Sequence, residues 1–131
     1  MKFIIEGETP AKKNSRITLP NGRTIPSKNY RAWHKSALLQ IEAMAISREA
    51  TISYPVAISL NFIHGDLRRR DSDNGTSSIL DLLVDAGILA DDNWQIVRIL
   101  NVYNQYDKGH ARCEIDIRPL ETTIEEGRKG A

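Results

Sequence analysis

The amino-acid sequence predicts a single α+β domain in which two helices pack on one face of a small mixed or mostly antiparallel sheet. The chain has 131 residues, of which 40% are hydrophobic, enough to bury one modest core. Extended apolar patterns mark four segments and helical spacing marks two others, in the order β-α-β-α-β-β. We expect residues 1–119 to form this domain and the polar residues 120–131 to form a mobile tail.

The N-terminal region begins with a short apolar strand candidate, Lys2–Glu6. Residues 8–27 follow and are rich in Pro, Gly, Asn and basic residues, which predicts a long loop. Because a loop of this length in a compact domain usually has a function, its basic residues are candidates for ligand binding. From residue 28 to about residue 48, apolar residues recur at helical spacing, and Ser27 is the candidate N-cap.

The central elements are a strand and a helix. Residues 52–64 alternate with one strongly apolar face, and Pro55 belongs near the start or edge of that strand. Residues 74–86 carry apolar side chains at helical spacing and stop at Gly87. We expect Asp73 or a near neighbour to cap the beginning of this helix.

The C-terminal elements are two further strands. Residues 95–104 and 111–118 are joined by a short segment at 106–109, so the pattern predicts a β-hairpin. Cys113 is the only cysteine and falls on the alternating apolar face, which predicts a buried thiol and fits a reducing cytoplasm. No apolar stretch approaches the roughly 20 residues needed to cross a bilayer, so we expect no membrane partner.

Charge is strongly segregated along the chain, although the net charge is only +1. Residues 10–35 contain seven basic residues and no acidic one, whereas residues 71–92 contain six aspartates and no basic residue. A basic surface beside an acidic pocket suits a metal-dependent enzyme that acts on a polyanion. The alternative is an ordinary solvated charged surface.

The acidic segment contains two pairs of aspartates. Asp71 and Asp73 lie where a strand gives way to a helix, and Asp91 and Asp92 lie just before the next strand. If that strand runs beside the one that ends near His64, both pairs can meet at one end of the sheet. Converging carboxylates repel each other unless a hard cation neutralises them, and Mg²⁺ prefers carboxylate and water oxygens. Such a cation would promote phosphodiester hydrolysis.

Two alternatives compete with this interpretation. Each aspartate taken alone could be a helix cap or a turn residue. A calcium-binding loop would place acids at Asp71 and Asp73, but its fifth position is Gly75 and its twelfth, normally glutamate, is Leu82. The calcium loop is therefore excluded, whereas the capping alternative stays open.

The acidic residues belong to a longer motif. It comprises Arg68, Arg69, Arg70, Asp71, Asp73 and Asn74, then a helix with Asp81, Ala86 and Gly87, then Asp91, Asp92, Gln95, Ile96 and Val97. This run resembles the core motif of RusA-type endodeoxyribonucleases, a family of Holliday-junction resolvases, and the resemblance extends over residues 3–118. It implies that Asp71, Asp73 and Asp92 are catalytic metal ligands, with Asp91 as a neighbouring ligand.

The resemblance also implies the reaction and the partners. We expect a homodimer that resolves four-way DNA junctions by paired symmetric nicks, in recombination and repair, with Mg²⁺ as cofactor and Mn²⁺ as a substitute. Two symmetric cuts are most simply made by two copies of one site about a two-fold axis. The candidate DNA-binding residues are Lys12, Lys13, Arg16, Arg23, Arg68, Arg69 and Arg70.

One position departs from the family pattern. The family usually has a lysine four residues after the second aspartate, and this chain has Ser77 there. Either another base, such as Arg70 or a residue of the N-terminal loop, supplies the positive charge, or catalysis is weakened. The alternative function is therefore a catalytically weakened homodimer that binds junctions.

Overall fold

The computed structural model describes residues 1–12, 16–44, 46 and 50–120, and the elements below lie within them. In chain order they are β1 (Lys2–Glu6), β2 (Arg16–Thr18), β3 (Thr24–Pro26), α1 (Lys28–Ala43), β4 (Val56–His64), α2 (Thr76–Asp85), β5 (Val97–Tyr106) and β6 (Arg112–Pro119). The predicted α+β class and the order of the long elements are confirmed. None of the described helices is long and apolar enough to span a membrane.

Four strands form the main sheet, in the order β1-β6-β4-β5. Strand β6 is antiparallel to both β1 and β4, whereas β5 is parallel to β4. The predicted hairpin of the last two strands is wrong, because β4 lies between them. Alternation reports which face of a strand is buried and says nothing about which strand lies next to it.

The connection between β5 and β6 crosses the end of β4. The Asp107 backbone N–H donates to the His64 carbonyl at 2.9 Å, and the Gly109 N–H donates to the Gly65 carbonyl at 2.8 Å. These bonds continue the pairing beyond β4 and bring the chain to its far side. Gly65 permits the close approach, since a Cβ there would lie 3.1 Å from the Ala111 nitrogen.

One face of the sheet holds the core. Its buried residues include Ile58, Leu60, Phe62, Ile115 and Ile117 from the sheet, Trp33, Ala37 and Ile41 from α1, and Ile79, Leu82 and Leu83 from α2. The opposite face is mixed: Tyr103 lies beside Asn61 on it, and there the Asn61 amide donates to Gln105 and Glu114 at 2.9 and 3.0 Å. Cys113 is fully buried as predicted, and its burial raises the pKa of the thiol to about 12.

The beginning of α1 follows its predicted capping residue. The Ser27 side chain accepts a hydrogen bond from the Tyr30 N–H at 3.2 Å, so Ser27 is the N-cap. The helix ends at Ala43, earlier than the sequence pattern indicates. Residues 45, 47 and 48 of that predicted helix lie outside the described part of the chain.

Helix α2 has an uncapped beginning and a well-capped end. Its N-cap is Gly75, a neighbour of the predicted Asp73, and no side chain caps it. At the other end Gly87 has a φ of 76° and donates to the Val84 carbonyl at 3.0 Å. The following Ile88 N–H bonds the Leu83 carbonyl at 2.9 Å, which completes a Schellman motif.

The predicted long loop at residues 8–27 is partly regular. Strands β2 and β3 pair antiparallel within it and form a small separate sheet. Their turn is closed by a bond from the Leu19 N–H to the Arg23 carbonyl at 2.7 Å. The predicted mobile tail, apart from Leu120, lies outside the described residues.

Candidate active site

The two acidic pairs lie in segments that leave or enter different strands of the sheet. Strand β5 does run beside β4, as the shared site requires, but parallel to it, with Val56 opposite Val97. The segment with Asp71 and Asp73 therefore follows the end of β4, whereas the Asp91–Asp92 turn precedes the beginning of β5. These are opposite ends of the strand pair, so strand pairing alone does not bring the two acidic pairs together, and their meeting depends on the connecting segments at residues 65–75 and 86–96. Helix α2 joins them, and its 10 residues span about 15 Å.

The segment between β4 and α2 is fixed by hydrogen bonds to its backbone carbonyl groups. The Asn104 amide donates to the carbonyl of Ser72 at 2.8 Å. The Asp73 carbonyl accepts the Thr76 N–H at 3.1 Å. Both Asp71 and Asp73 are exposed, so the contacts fix the chain while leaving the two carboxylates accessible.

A polar network supports the same segment from the end of β4. The two ring nitrogens of His64 lie 2.8 Å from a carboxylate oxygen of Glu8 and 2.9 Å from the side-chain amide oxygen of Asn104. Arg70 lies 3.4 Å from Glu8 and 3.0 Å from Asp66, and only 13% of its side chain is exposed. Arg70, a predicted DNA contact, thus holds two carboxylates of its own chain.

The Asp91–Asp92 turn is held by its own side chains. Asp91 accepts hydrogen bonds from the Asn93 amide at 2.9 Å and from the Asp92 backbone N–H at 2.8 Å. These bonds lower the pKa of Asp91, with the Asn93 amide as the largest cause. The pKa of Asp92 is raised, first by desolvation and then by the negative charges of Asp91 and Asp81. A positive charge is therefore favoured next to Asp92.

Asp81 is a site residue to which sequence reasoning assigned no role. It lies on α2, its charge acts on Asp92, and it forms an ion pair with Lys12. The available signal was its spacing, since Asp81 follows Ser77 by four residues and so shares a helix face with it. Nothing local in the sequence linked it to Lys12.

The donor types suit a hard cation, but the described side chains do not form a ready-made metal site. Mg²⁺ binds carboxylate oxygens, and all four predicted ligands are aspartates with exposed side chains. Among the described residues, however, no group of three or more His, Cys, Asp or Glu side chains is placed to hold a metal ion. Coordination of one cation by Asp71, Asp73 and Asp92 stays a prediction.

The other predicted DNA contacts lie on the surface wherever their side chains are described. Arg23 is exposed in the turn between β2 and β3, and Arg68 and Arg69 are exposed in the segment after β4. Lys13 and the side chain of Arg16 fall outside the described part of the structure.

The two tryptophans have different environments. Trp33 is buried in the core. Trp94, directly after the Asp91–Asp92 turn, is 70% exposed, and the Arg98 guanidinium lies 5.4 Å from the centre of its ring. An exposed aromatic ring with an adjacent cation is a suitable surface for nucleic acid.

A family model described as endodeoxyribonuclease RusA matches residues 6–118, which include both acidic pairs and both helices. A similar protein is the crossover junction endodeoxyribonuclease RusA of Aquifex aeolicus (strain VF5). The two are 24% identical over 114 residues, which cover 86% of this chain and 87% of the relative.

Proposed function

The chain belongs to the RusA endodeoxyribonuclease family, and we propose that it is a Mg²⁺-dependent endonuclease that resolves four-way DNA junctions by paired symmetric nicks. The observation that carries this proposal is the match over residues 6–118, because it includes every aspartate of the acidic segment. The name of the Aquifex relative supports the junction as substrate. The raised pKa of Asp92 supports a site that favours bound cations.

The proposed metal ligands are Asp71, Asp73 and Asp92, with Asp91 beside them. When bound, Mg²⁺, or Mn²⁺ in its place, would lower the pKa of a water molecule and stabilise charge on the phosphate. Mg²⁺ is commonly held by one or two carboxylates together with substrate phosphates. Because no three described carboxylates converge, we expect the free protein to bind Mg²⁺ weakly and the DNA complex to bind it more tightly.

A homodimer is part of the proposal, because paired symmetric nicks need two copies of the site. Strand β5 is an edge strand of the sheet, and three of its apolar side chains, Ile99, Leu100 and Tyr103, are at least 40% exposed. An exposed apolar edge strand favours association with another chain. Size-exclusion chromatography with light scattering would test this, and a monomer in the presence of junction DNA would contradict it.

The second candidate function is a homodimer that binds junctions but cuts them poorly. Ser77 favours it, because this exposed position on α2 holds a neutral side chain where the family usually has lysine. The two candidates share the substrate and differ in rate. They are therefore separated by a measurement of cleavage.

The decisive experiment uses a synthetic four-way junction labelled on each strand in turn. We expect nicks at symmetric positions on two opposing strands with Mg²⁺ or Mn²⁺ and none with EDTA, and little cutting of a linear duplex of the same sequence. Binding without cutting would favour the weakened homodimer. Equal affinity for the junction and the linear duplex would contradict both candidates.

A further inference from the structure

Residues 9–12 form a short strip that packs along α2. Thr9 and Ala11 are 3% and 8% exposed. The fully buried Ser78 of α2 donates its hydroxyl to the Pro10 carbonyl at 2.5 Å. At the end of the strip, Lys12 forms its ion pair with Asp81. The basic N-terminal region is thus attached to α2 by packing, a hydrogen bond and an ion pair.

Gly75 permits this attachment. A Cβ at position 75 would lie 2.7 Å from the Thr9 Cγ2 and 2.8 Å from a ring carbon of Phe62. Both distances are far inside van der Waals contact, and Phe62 belongs to the core. Any side chain at this position would push the strip away from α2.

The strip places an ammonium group on the face of α2 that carries Ser77 and Asp81. Asp81, the partner of Lys12, is one helical turn from Ser77, a rise of about 6 Å. The same Asp81 is electrostatically coupled to Asp92. The Lys12 side chain keeps 32% of its surface exposed, so a phosphate can still reach it.

The surroundings of Lys12 suit a DNA strand. A cleft of about 430 Å³ opens beside it between α1 and α2; its walls include the bases Arg31 and Lys35 of α1 and the acids Asp81 and Asp85 of α2. By contrast, Arg70 is enclosed by Glu8 and Asp66 at the end of β4. Of the two sources of charge considered for the position of Ser77, the N-terminal region is the one that contacts α2.

We propose that Lys12 is a catalytic residue whose ammonium group contacts the scissile phosphate and supplies the positive charge that Ser77 lacks. This inference rests on the proposed endonuclease function. Phosphodiester hydrolysis builds negative charge on the phosphate oxygens, and a positioned cation stabilises that charge more in the transition state than in the ground state. Lys12 transfers no proton in this role. Asp81 orients the ammonium group before DNA binds, and the strip along α2 fixes its position.

The first test compares Lys12→Gln with Lys2→Gln, a matched loss of one charge on β1. We expect Lys12→Gln to slow junction nicking about 100-fold, the scale on which loss of one charge-stabilising donor acts. Junction affinity should fall less than about tenfold, and Lys2→Gln should nick at the wild-type rate. If Lys12→Gln nicks within threefold of the wild type, the inference is wrong while the endonuclease function stands.

The second test moves the charge. In Lys12→Gln/Ser77→Lys the ammonium group returns to the same helix face from α2 itself, so nicking should recover at least tenfold over Lys12→Gln. A purely structural role for Lys12 would not allow this recovery, because the contact between the strip and Asp81 stays broken. No recovery in a folded double variant would overturn the catalytic role.

The third test does not depend on cleavage. Loss of one phosphate contact should reduce the slope of log affinity against log salt by about 0.9 on duplex DNA. We expect this reduction in Lys12→Gln, measured in EDTA, and no change in Lys2→Gln. An unchanged slope in Lys12→Gln would contradict contact with phosphate even if the wild-type protein cut nothing.

Discussion

The two acidic segments are held in different ways. The segment with Asp71 and Asp73 depends on side chains from distant elements, because Asn104 of β5 bonds Ser72. The turn with Asp91 and Asp92 is held by its own hydrogen bonds within three residues. Contacts that are remote in sequence therefore position one half of the proposed site, and local turn geometry positions the other. Substitutions should affect the two halves differently.

The largest expected effect is on the nicking rate, which should fall by different factors when one aspartate of each segment is replaced. Asp73→Asn should reduce nicking at least 100-fold and keep junction affinity, because it removes a proposed ligand charge and also reduces repulsion of phosphate. Asp91→Asn should reduce nicking about tenfold, since the side chain of Asp91 already bonds its own turn. Single-turnover rates and gel-shift affinities would measure both. Equal losses from the two variants would end the distinction between the halves.

A smaller effect on the nicking rate is expected when the contacts from β5 to the segment with Asp71 and Asp73 are removed. Asn104→Ala removes the contacts to Ser72 and His64 and should slow nicking about tenfold, with a loss of about 1 kcal/mol in the free energy of unfolding. Asn93→Ala is the matched change in the other half. It removes the amide bond to Asp91 and the bonds that the Gln95 and Ile96 N–H groups donate to Asn93, while the Asp92 backbone N–H would still bond Asp91. We expect it to slow nicking less than threefold. A larger loss in Asn93→Ala than in Asn104→Ala would reverse the comparison.

The smallest effect is a pair of pKa changes measured by NMR titration. The pKa of Asp91 should move towards 3.8 in Asn93→Ala, because the Asn93 amide is the largest cause of its lowering. Asp66 lies at the start of the other segment. Its pKa should stay below 3.8 in Arg70→Gln, because the hydrogen bond from the Arg68 backbone N–H is the largest cause of the lowering. A lowered pKa stabilises the folded state above the unfolded pKa, and this contribution is lost as pH falls through the folded value. A full return of Asp66 to 3.8 would assign its shift to Arg70 instead.

Much of the fold could be predicted because it depends on local patterns. Alternation located β4, and Ser27 and Gly87 marked the helix boundaries correctly. Strands β2 and β3 have three residues each, too few to show a period. The neighbours of β5 and β6 could not be predicted, because strand order depends on packing among distant segments.

The candidate site was predictable in composition and only partly in arrangement. The aspartates were recognisable from residue type and spacing, but their convergence depends on strand direction, and β5 is parallel to β4. The ion pair between Lys12 and Asp81 joins residues 69 positions apart and leaves no local pattern. The reason for a glycine at position 75 is also structural, because its φ is negative and only the close approach of Thr9 and Phe62 requires it.

The position of β6 between β1 and β4 has a consequence for how the protein is made. In the described sheet, β1 pairs with β6, and the Met1 amino group bonds the Ile117 carbonyl across 116 positions of the chain. During synthesis the first strand must therefore wait for the last one before it can join the sheet. Contacts of such long range slow folding. Because the strip that carries Lys12 continues from β1, this part of the proposed site becomes fixed only when the final strand has emerged from the ribosome.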